Sequence, residues 1–202
     1  MTEPHRSRAW IVGGFALVLL LVLLDQWSKG LYAWVEGGHA EMARDCHPGH
    51  SRHLLAGEWL SLMTSCNSGA AFGRFDAFPR ILVGGRVLAV VVLSIWLLRI
   101  DTRQRGVLSA MVLVLAGALG NVIDNLWTGC GSGGAPHGVR DFVNVWFEPL
   151  LGWDYHFPSF NVADSCISVG AVLWILTGFF HAREDQPSEI AGSDLVGEEP
   201  PA

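Results

Sequence analysis

Apolar residues dominate four stretches of this chain, at roughly 10–24 (extending toward 34), 81–100, 107–127 and 162–181. A helix crosses a bilayer with about 20 mostly apolar residues, and each stretch approaches or meets that length. The pattern therefore predicts a mainly α, polytopic membrane protein with four transmembrane helices. A signal peptide would place a small-residue cleavage site after the first stretch; Leu23-Leu24-Asp25-Gln26-Trp27 stands there instead, which reads as a retained anchor.

The polar intervals complete the outline. Residues 1–9 form a basic lead, and 35–57 a Gly- and His-containing outer insertion. Residues 58–64 alternate partially with period two and read as a strand. Residues 67–73 are a small, turn-forming run. Phe72, Phe75 and Phe78 recur before Pro79, the spacing of a short helix on the membrane interface or of loop aromatics tucked against the strand. Residues 129–138 are Gly-rich and read as a flexible loop. From Glu184 onward the chain is acidic and lacks aromatics, which reads as disorder. The division is thus a lead at 1–9, a four-span domain at 10–181 and an acidic tail at 182–202.

Composition supports this picture. Charged residues make up 16% of the chain and hydrophobic ones 50%, below and at the upper end of what soluble domains use. The formal net charge of −6 says little about the site, because five acids lie from Asp185 onward. No basic stripe with interleaved aromatics is present, so nucleic acid is not an expected partner. Arg6 and Arg8 precede the first span, and Arg99, Arg103 and Arg105 crowd the link between the second and third. Positive charge in short loops marks the cytoplasmic side, which puts both termini there. Arg86, about one turn inside the second span, reads as snorkelling to the outer headgroups. Cys46, Cys66 and Cys130 fall in outer loops, where one disulfide is possible and no pairing is defined. His39, His47, His50 and His53 share a loop without tetrahedral ligand spacing, so no metal or cofactor is expected.

The candidate chemistry lies in acids and amides at span ends. A charge inside a bilayer costs a few kcal/mol or more, about 2.5–3.5 even on insertion scales, and usually faces an interior site. Asp25 and Lys29 are four apart on one helical face and read as a structural salt bridge. Gly117, Gly120, Asn121 and Asp124 share a face of the third span; the glycines let another helix approach, and Asn121 can bond across the contact. Asn161 and Asp164 share a face at the start of the fourth span, where Asp164 could cap the helix or do chemistry. Asp141 sits in an apolar stretch between the last two spans. Two carboxylates that share a site can share a proton. No Ser, His and Asp set stands out. Buried acids and amides also build ion paths, but the paired repeats and broken spans of transporters are absent from the sequence.

Five blocks taken in order resemble signal peptidase II, the lipoprotein signal peptidase family. They are Asp25-Gln26-Trp27-Ser28-Lys29, Asn67-Ser68-Gly69-Ala70-Ala71-Phe72, Gly117-Ala118-Leu119-Gly120-Asn121-Val122-Ile123-Asp124, Val139-Arg140-Asp141-Phe142 and Phe160-Asn161-Val162-Ala163-Asp164-Ser165. The resemblance covers residues 10–181. It implies an aspartyl endopeptidase of the bacterial inner membrane that cuts prolipoproteins just before the diacylglyceryl-modified cysteine. It implies Asp141 and Asp164 as the catalytic pair, with Asp25, Lys29, Asn67, Gly69, Gly120, Asn121, Asp124 and Asn161 in binding or supporting roles. It also implies a small outer β-cradle, an interfacial helix, prolipoprotein and lipid as partners, and a monomer. Two departures stand out. Asn125 occupies the position after Asp124 where the family usually has Arg, with Arg140 the nearest cation in sequence order to replace it. The loop before Asp141 and the insertion at 35–57 look long. If Asn125 disabled the chemistry, the chain would be a scaffold that binds lipoprotein without cutting it.

Overall fold

A computed structural model of the chain describes residues 7–35, 53–68, 78–131 and 136–184. Its helices are α1 (Arg8–Val35), α2 (Pro79–Leu97), α3 (Arg105–Ile123), a short α4 (Glu148–Leu151) and α5 (Val162–Glu184). Its strands are β1 (His53–Ala56), β2 (Leu60–Asn67), β3 (Val139–Trp146) and β4 (His156–Phe160), which form one antiparallel sheet in the order β1-β2-β3-β4. Three helical segments, Arg8–Gly30, Pro79–Leu97 and Arg105–Thr128, are long and apolar enough to cross a membrane. The apolar part of α5, Val162–Gly178, is shorter.

Sequence sets the helix boundaries. Pro79 stands in the first turn of α2, where its missing N–H costs nothing. α3 continues without a break into a π-helical turn, Asp124–Thr128, closed by the Gly129 N–H donating to the Asp124 carbonyl at 2.8 Å. The core lies between α1, α2 and α3, where Val18, Val22, Leu97, Met111 and Leu115 are buried together. Outward, Leu19, Leu20 and Leu23 of α1, Ile81 and Leu88 of α2, and Val172 of α5 stay exposed. So much outward apolar surface on long helices suits a lipid solvent rather than water.

The helix α3 packs most extensively against α5, and glycine permits the approach. A Cβ at Gly117 would collide with the Ala163 carbonyl and Ile167, and one at Gly120 would sit 2.6 Å from Asp25 Oδ2. These contacts bear out the close-approach reading of that face.

The sheet differs from the sequence reading in three places. β1 lies inside the stretch read as a polar insertion; Gly57, at φ 51°, turns the chain so that this short segment pairs back on β2. β2 starts at Leu60 and runs through Asn67, a residue whose local sequence predicts a turn-forming run. Its pairing with β3 (Ser65 opposite Asp141, Cys66 opposite Arg140, Asn67 opposite Val139) overrides the local turn preference. The Gly-rich loop is pinched by a bridge: Cys130 N–H donates to Gly138 O at 3.0 Å and Gly138 N–H to Cys130 O at 2.7 Å. Phe72 and Phe75, whether on an interfacial helix or in a loop, Gly69, most of the 35–57 insertion and the tail from residue 185 lie outside the described residues; the last helix takes in residues 182–184, which the sequence reading gives to the tail.

Candidate active site

The polar residues of the spans meet where α1, α3, β3 and the start of α5 converge. Lys29 Nζ is the hub of the lower layer. It lies 2.9 Å from Asp25 Oδ2 and 3.2 Å from Asp124 Oδ2, and donates to Asn121 Oδ1 at 3.1 Å. Arg140 supplies the second cation, with Nη2 2.7 Å from Asp124 Oδ1 and its backbone N–H donating to Asp124 Oδ2 at 2.9 Å. Asp25, Lys29 and Asp124 are at most 1% exposed. Two acids and two bases thus form a neutral buried tetrad. Neutrality and saturated hydrogen bonding are the conditions under which buried charge is tolerated.

Gln26 bridges members of the tetrad, a role that the sequence does not suggest. Its amide nitrogen donates to Asp25 Oδ2 at 3.1 Å, to the Gly120 carbonyl at 3.1 Å and to Asp124 Oδ1 at 3.2 Å. Its carbonyl oxygen accepts from Thr128 at 3.1 Å and from Arg140 Nη2 at 3.0 Å. An amide beside an aspartate at a span end was the available signal. Arg140, the nearest cation to replace the family arginine, is committed to Asp124, Gln26 and Thr128.

The upper layer holds the two remaining acids. Asn161 precedes α5 and forms a reciprocal cap with Asp164. The Asp164 N–H donates to Asn161 Oδ1 at 2.9 Å, and the Asn161 N–H to Asp164 Oδ2 at 3.2 Å. The Ala163 N–H, another orphan donor of the first turn, goes to Asp25 Oδ1 at 2.9 Å. Capping and chemistry, rivals in the sequence, coexist here: the other Asp164 oxygen, Oδ1, accepts from Asn121 Nδ2 at 2.9 Å. Asp141 is held by Asn161 Nδ2 at 2.7 Å and by Asn67 Nδ2 at 3.1 Å. Strand alternation explains how neighbours on β3 serve different layers, Arg140 turning to the tetrad and Asp141 to the opposite face.

Asp141 and Asp164 line one cavity of about 950 Å³, whose wall includes Asn67, Asn121, Ser165 and the apolar Phe157 and Phe160. Burial, and then the charge of Asp164, push the Asp141 carboxyl up from 3.8 to about 7; the Asn67 bond, the Lys29 charge and the Asn161 bond pull the other way. Cys66, on the cavity wall, is disulfide-bonded to Cys130. The structure thereby supplies a pairing that the sequence left open; Cys46 lies outside the described residues. Of the ten site residues implied by the resemblance, nine are in or beside this network, and Gly69 is outside the described residues. Arg86 departs from the snorkelling reading: it lines the cavity and donates from Nη1 to Asn125 Oδ1 at 2.7 Å.

Apolar helices that expose their aliphatic faces, with a carboxylate pair beside a mostly apolar cavity, fit a membrane protease of the aspartic class. The comparisons with known proteins narrow this. The sequence profile described as "Signal peptidase (SPase) II" matches residues 17–180. A lipoprotein signal peptidase from Acinetobacter baylyi is 30% identical over 185 residues, covering 90% of this chain and 87% of its own. One from Cupriavidus necator is 36% identical over 164 residues, covering 80% and 79%. A solved bacterial membrane enzyme superposes with a TM-score of 0.66 at 22% identity, covering 94% of this chain and 98% of its own, and so shares the fold. The chain belongs to the signal peptidase II family, proteases that remove the signal peptide from prolipoproteins.

Proposed function

We propose that this chain cleaves diacylglyceryl-modified prolipoproteins just before the lipidated cysteine, with Asp141 and Asp164 as the catalytic pair. The observation that carries the assignment is their shared tether. Asn161 holds both carboxylates on the wall of one mostly apolar cavity, Asp141 through its side-chain nitrogen and Asp164 through its backbone N–H, above acids that are already neutralised. Asp164, at a helix N-terminus and accepting from Asn121, suits the anion. Asp141, raised to about 7, suits the proton carrier. As water attacks the scissile carbonyl carbon, Asp164 takes a water proton and Asp141 protonates the carbonyl oxygen. The tetrahedral diol then collapses: Asp141 takes back a hydroxyl proton as the carbonyl re-forms, the C–N bond breaks, and the proton held by Asp164 passes to the leaving nitrogen.

Asn67, Asn121 and Asn161 orient the pair, and Asp25, Lys29, Gly120 and Asp124 form the floor beneath it. Gly69 is assigned a supporting role through the family motif alone. The helix α5 is the fourth span, giving a four-span domain at 10–181 between a basic lead and an acidic tail. The sheet forms a cradle on the outer side. Two features support this orientation: the disulfide on the sheet side, and Arg99, Arg103 and Arg105 at the opposite end of the helices. Substrate enters from the lipid, its acyl chains remaining between helices, and the working unit is a monomer.

The test is cleavage of a diacylglyceryl-modified prolipoprotein peptide by the detergent-purified protein, read by mass spectrometry. Wild-type protein should cut directly before the lipidated cysteine, and Asp141→Asn and Asp164→Asn should not. Normal turnover by either variant overturns the assignment. Binding without cleavage by wild-type protein would establish the scaffold reading instead.

A further inference from the structure

Arg86 is a basic residue in the wall of a cavity that is otherwise mostly apolar. Arg140 and Lys29 belong to the buried tetrad and are not among the residues that line this cavity. Among the described residues that line the cavity, Arg86 is the one Lys or Arg. An arginine this far inside a span would ordinarily run its stem along the helix to the headgroups. This one turns inward.

Arg86 meets Asn125 there, and Asn125 is held from the other side. The Asn125 side-chain nitrogen donates to the His137 carbonyl at 2.7 Å, and the His137 N–H donates to the Asn125 carbonyl at 2.9 Å. With its nitrogen on that carbonyl, the amide turns Oδ1 toward a neighbouring donor. That neighbour is Arg86 Nη1, at 2.7 Å. Asn125 is 3% exposed, so this bond is made away from solvent. The charges of Asp164 and Asp141 both reach the guanidinium from the same cavity.

We infer that Arg86, bonded to Asn125, is a substrate-positioning residue that grips carbonyl oxygen of the lipopeptide beside the aspartate pair. The inference rests on the peptidase reading. A guanidinium offers donors only, in a rigid planar fork. A lipidated peptide in an apolar cavity offers carbonyl oxygens as its acceptors, from two sources: the peptide backbone around the scissile bond and the esters of the diacylglyceryl group. A grip of this kind acts on bound substrate before and during reaction, so its loss appears mainly in KM.

The experiment compares wild-type, Arg86→Met, Arg86→Lys and Asp141→Asn proteins on two lipopeptides, one with ester-linked acyl chains and one with ether-linked alkyl chains. Melting temperature is recorded for each. Arg86→Met should lower kcat/KM about 10- to 100-fold, the range for a charge-assisted hydrogen bond, mainly through KM. Arg86→Lys keeps the charge without the fork and should fall between; it also carries the test if Arg86→Met does not fold. A loss on both substrates assigns the grip to backbone carbonyls, and a loss on the ester substrate alone assigns it to the lipid esters. Folded Arg86 variants with wild-type kcat/KM, or with reduced kcat and unchanged KM on both substrates, overturn the inference. If wild-type protein cuts neither peptide, or Asp141→Asn cuts both, the underlying peptidase assignment is what fails.

Discussion

Lys29→Met is the sharpest perturbation of the buried tetrad. It deletes a cation that contacts Asp25 at 2.9 Å, Asp124 at 3.2 Å and Asn121 at 3.1 Å, and replaces it with an apolar chain of similar length. The two carboxylates do not suffer equally. Asp124 keeps Arg140 at 2.7 Å, whereas Asp25 is left with Gln26 and the Ala163 N–H, neither of them charged. One orphaned buried charge is therefore the basis of the estimate. Removing one partner of a buried pair costs about 3–5 kcal/mol, because the other charge stays desolvated. Against a net stability of about 5–15 kcal/mol this is a large fraction. At about 2–4 °C per kcal/mol for a chain of this size, Tm should fall by about 6–20 °C. Thermal unfolding in detergent measures it. The double variant Asp25→Asn/Lys29→Met removes the orphaned charge and should recover at least half of the loss. If Lys29→Met melts within about 2 °C of wild type, or the double variant melts lower still, the charge-balance argument is wrong.

Other outcomes follow from the same geometry. Asp141 keeps its proton up to about pH 7, so kcat/KM should decline above that pH, and Asn67→Ala should move this limb upward, because the Asn67 bond favours the carboxylate; a pH–rate profile decides. Stability follows the same group: with its folded value raised, the Asp141 contribution is fully present below about pH 4 and is lost as pH rises from there to about 7, by at most about 4 kcal/mol at about 1.4 per unit. Chemical denaturation across that window should show the fall, and Asp141→Asn should flatten it. Gly120→Ala drives a methyl to 2.6 Å from Asp25 Oδ2 and should cost about 1–3 kcal/mol, read as a lowered Tm. Loss of the Cys66–Cys130 bridge, which spans a sequence separation of 64, should cost up to about 4 kcal/mol by chain entropy; a Cys66→Ser/Cys130→Ser protein with wild-type Tm would refute this.

Local spacing made part of this site readable in advance. Asp25 with Lys29, Gly117 with Gly120, and Asn161 with Asp164 recur at three or four residues, and a helix converts that spacing into a shared face. What stayed hidden depends on contacts across the chain. Nothing local says that the Ala163 N–H needs Asp25, 138 residues earlier, or that Gln26 will close a ring with Arg140. β1 and the end of β2 were unreadable for a related reason. Their residues look polar or turn-forming in isolation and become strand only when neighbouring strands supply the ladder. Arg86 departs from the sequence expectation because snorkelling is the general behaviour of an arginine in a span, whereas this one lines the cavity and meets the Asn125 amide. That amide is held by the His137 backbone.

The two layers of acids also explain why similar residues serve different ends. In the lower layer each carboxylate has a bonded cation, so the cluster is neutral and fixed. In the upper layer the nearest donors are amides: Asn67 and Asn161 on Asp141, Asn121 on Asp164. An amide orients a carboxylate without cancelling its charge. Repulsion between the two acids therefore survives burial and keeps a proton in the pair. A lysine or arginine bonded directly to Asp141 would stabilise the site and remove that proton. The cations that do approach stand one step away, Lys29 behind Asn121 and Arg86 beside Asn125. Asn121 is the residue that couples the layers, accepting from Lys29 on one side and donating to Asp164 on the other. Its placement lets the neutral floor hold the proposed catalytic pair in position while leaving one carboxyl able to give up its proton.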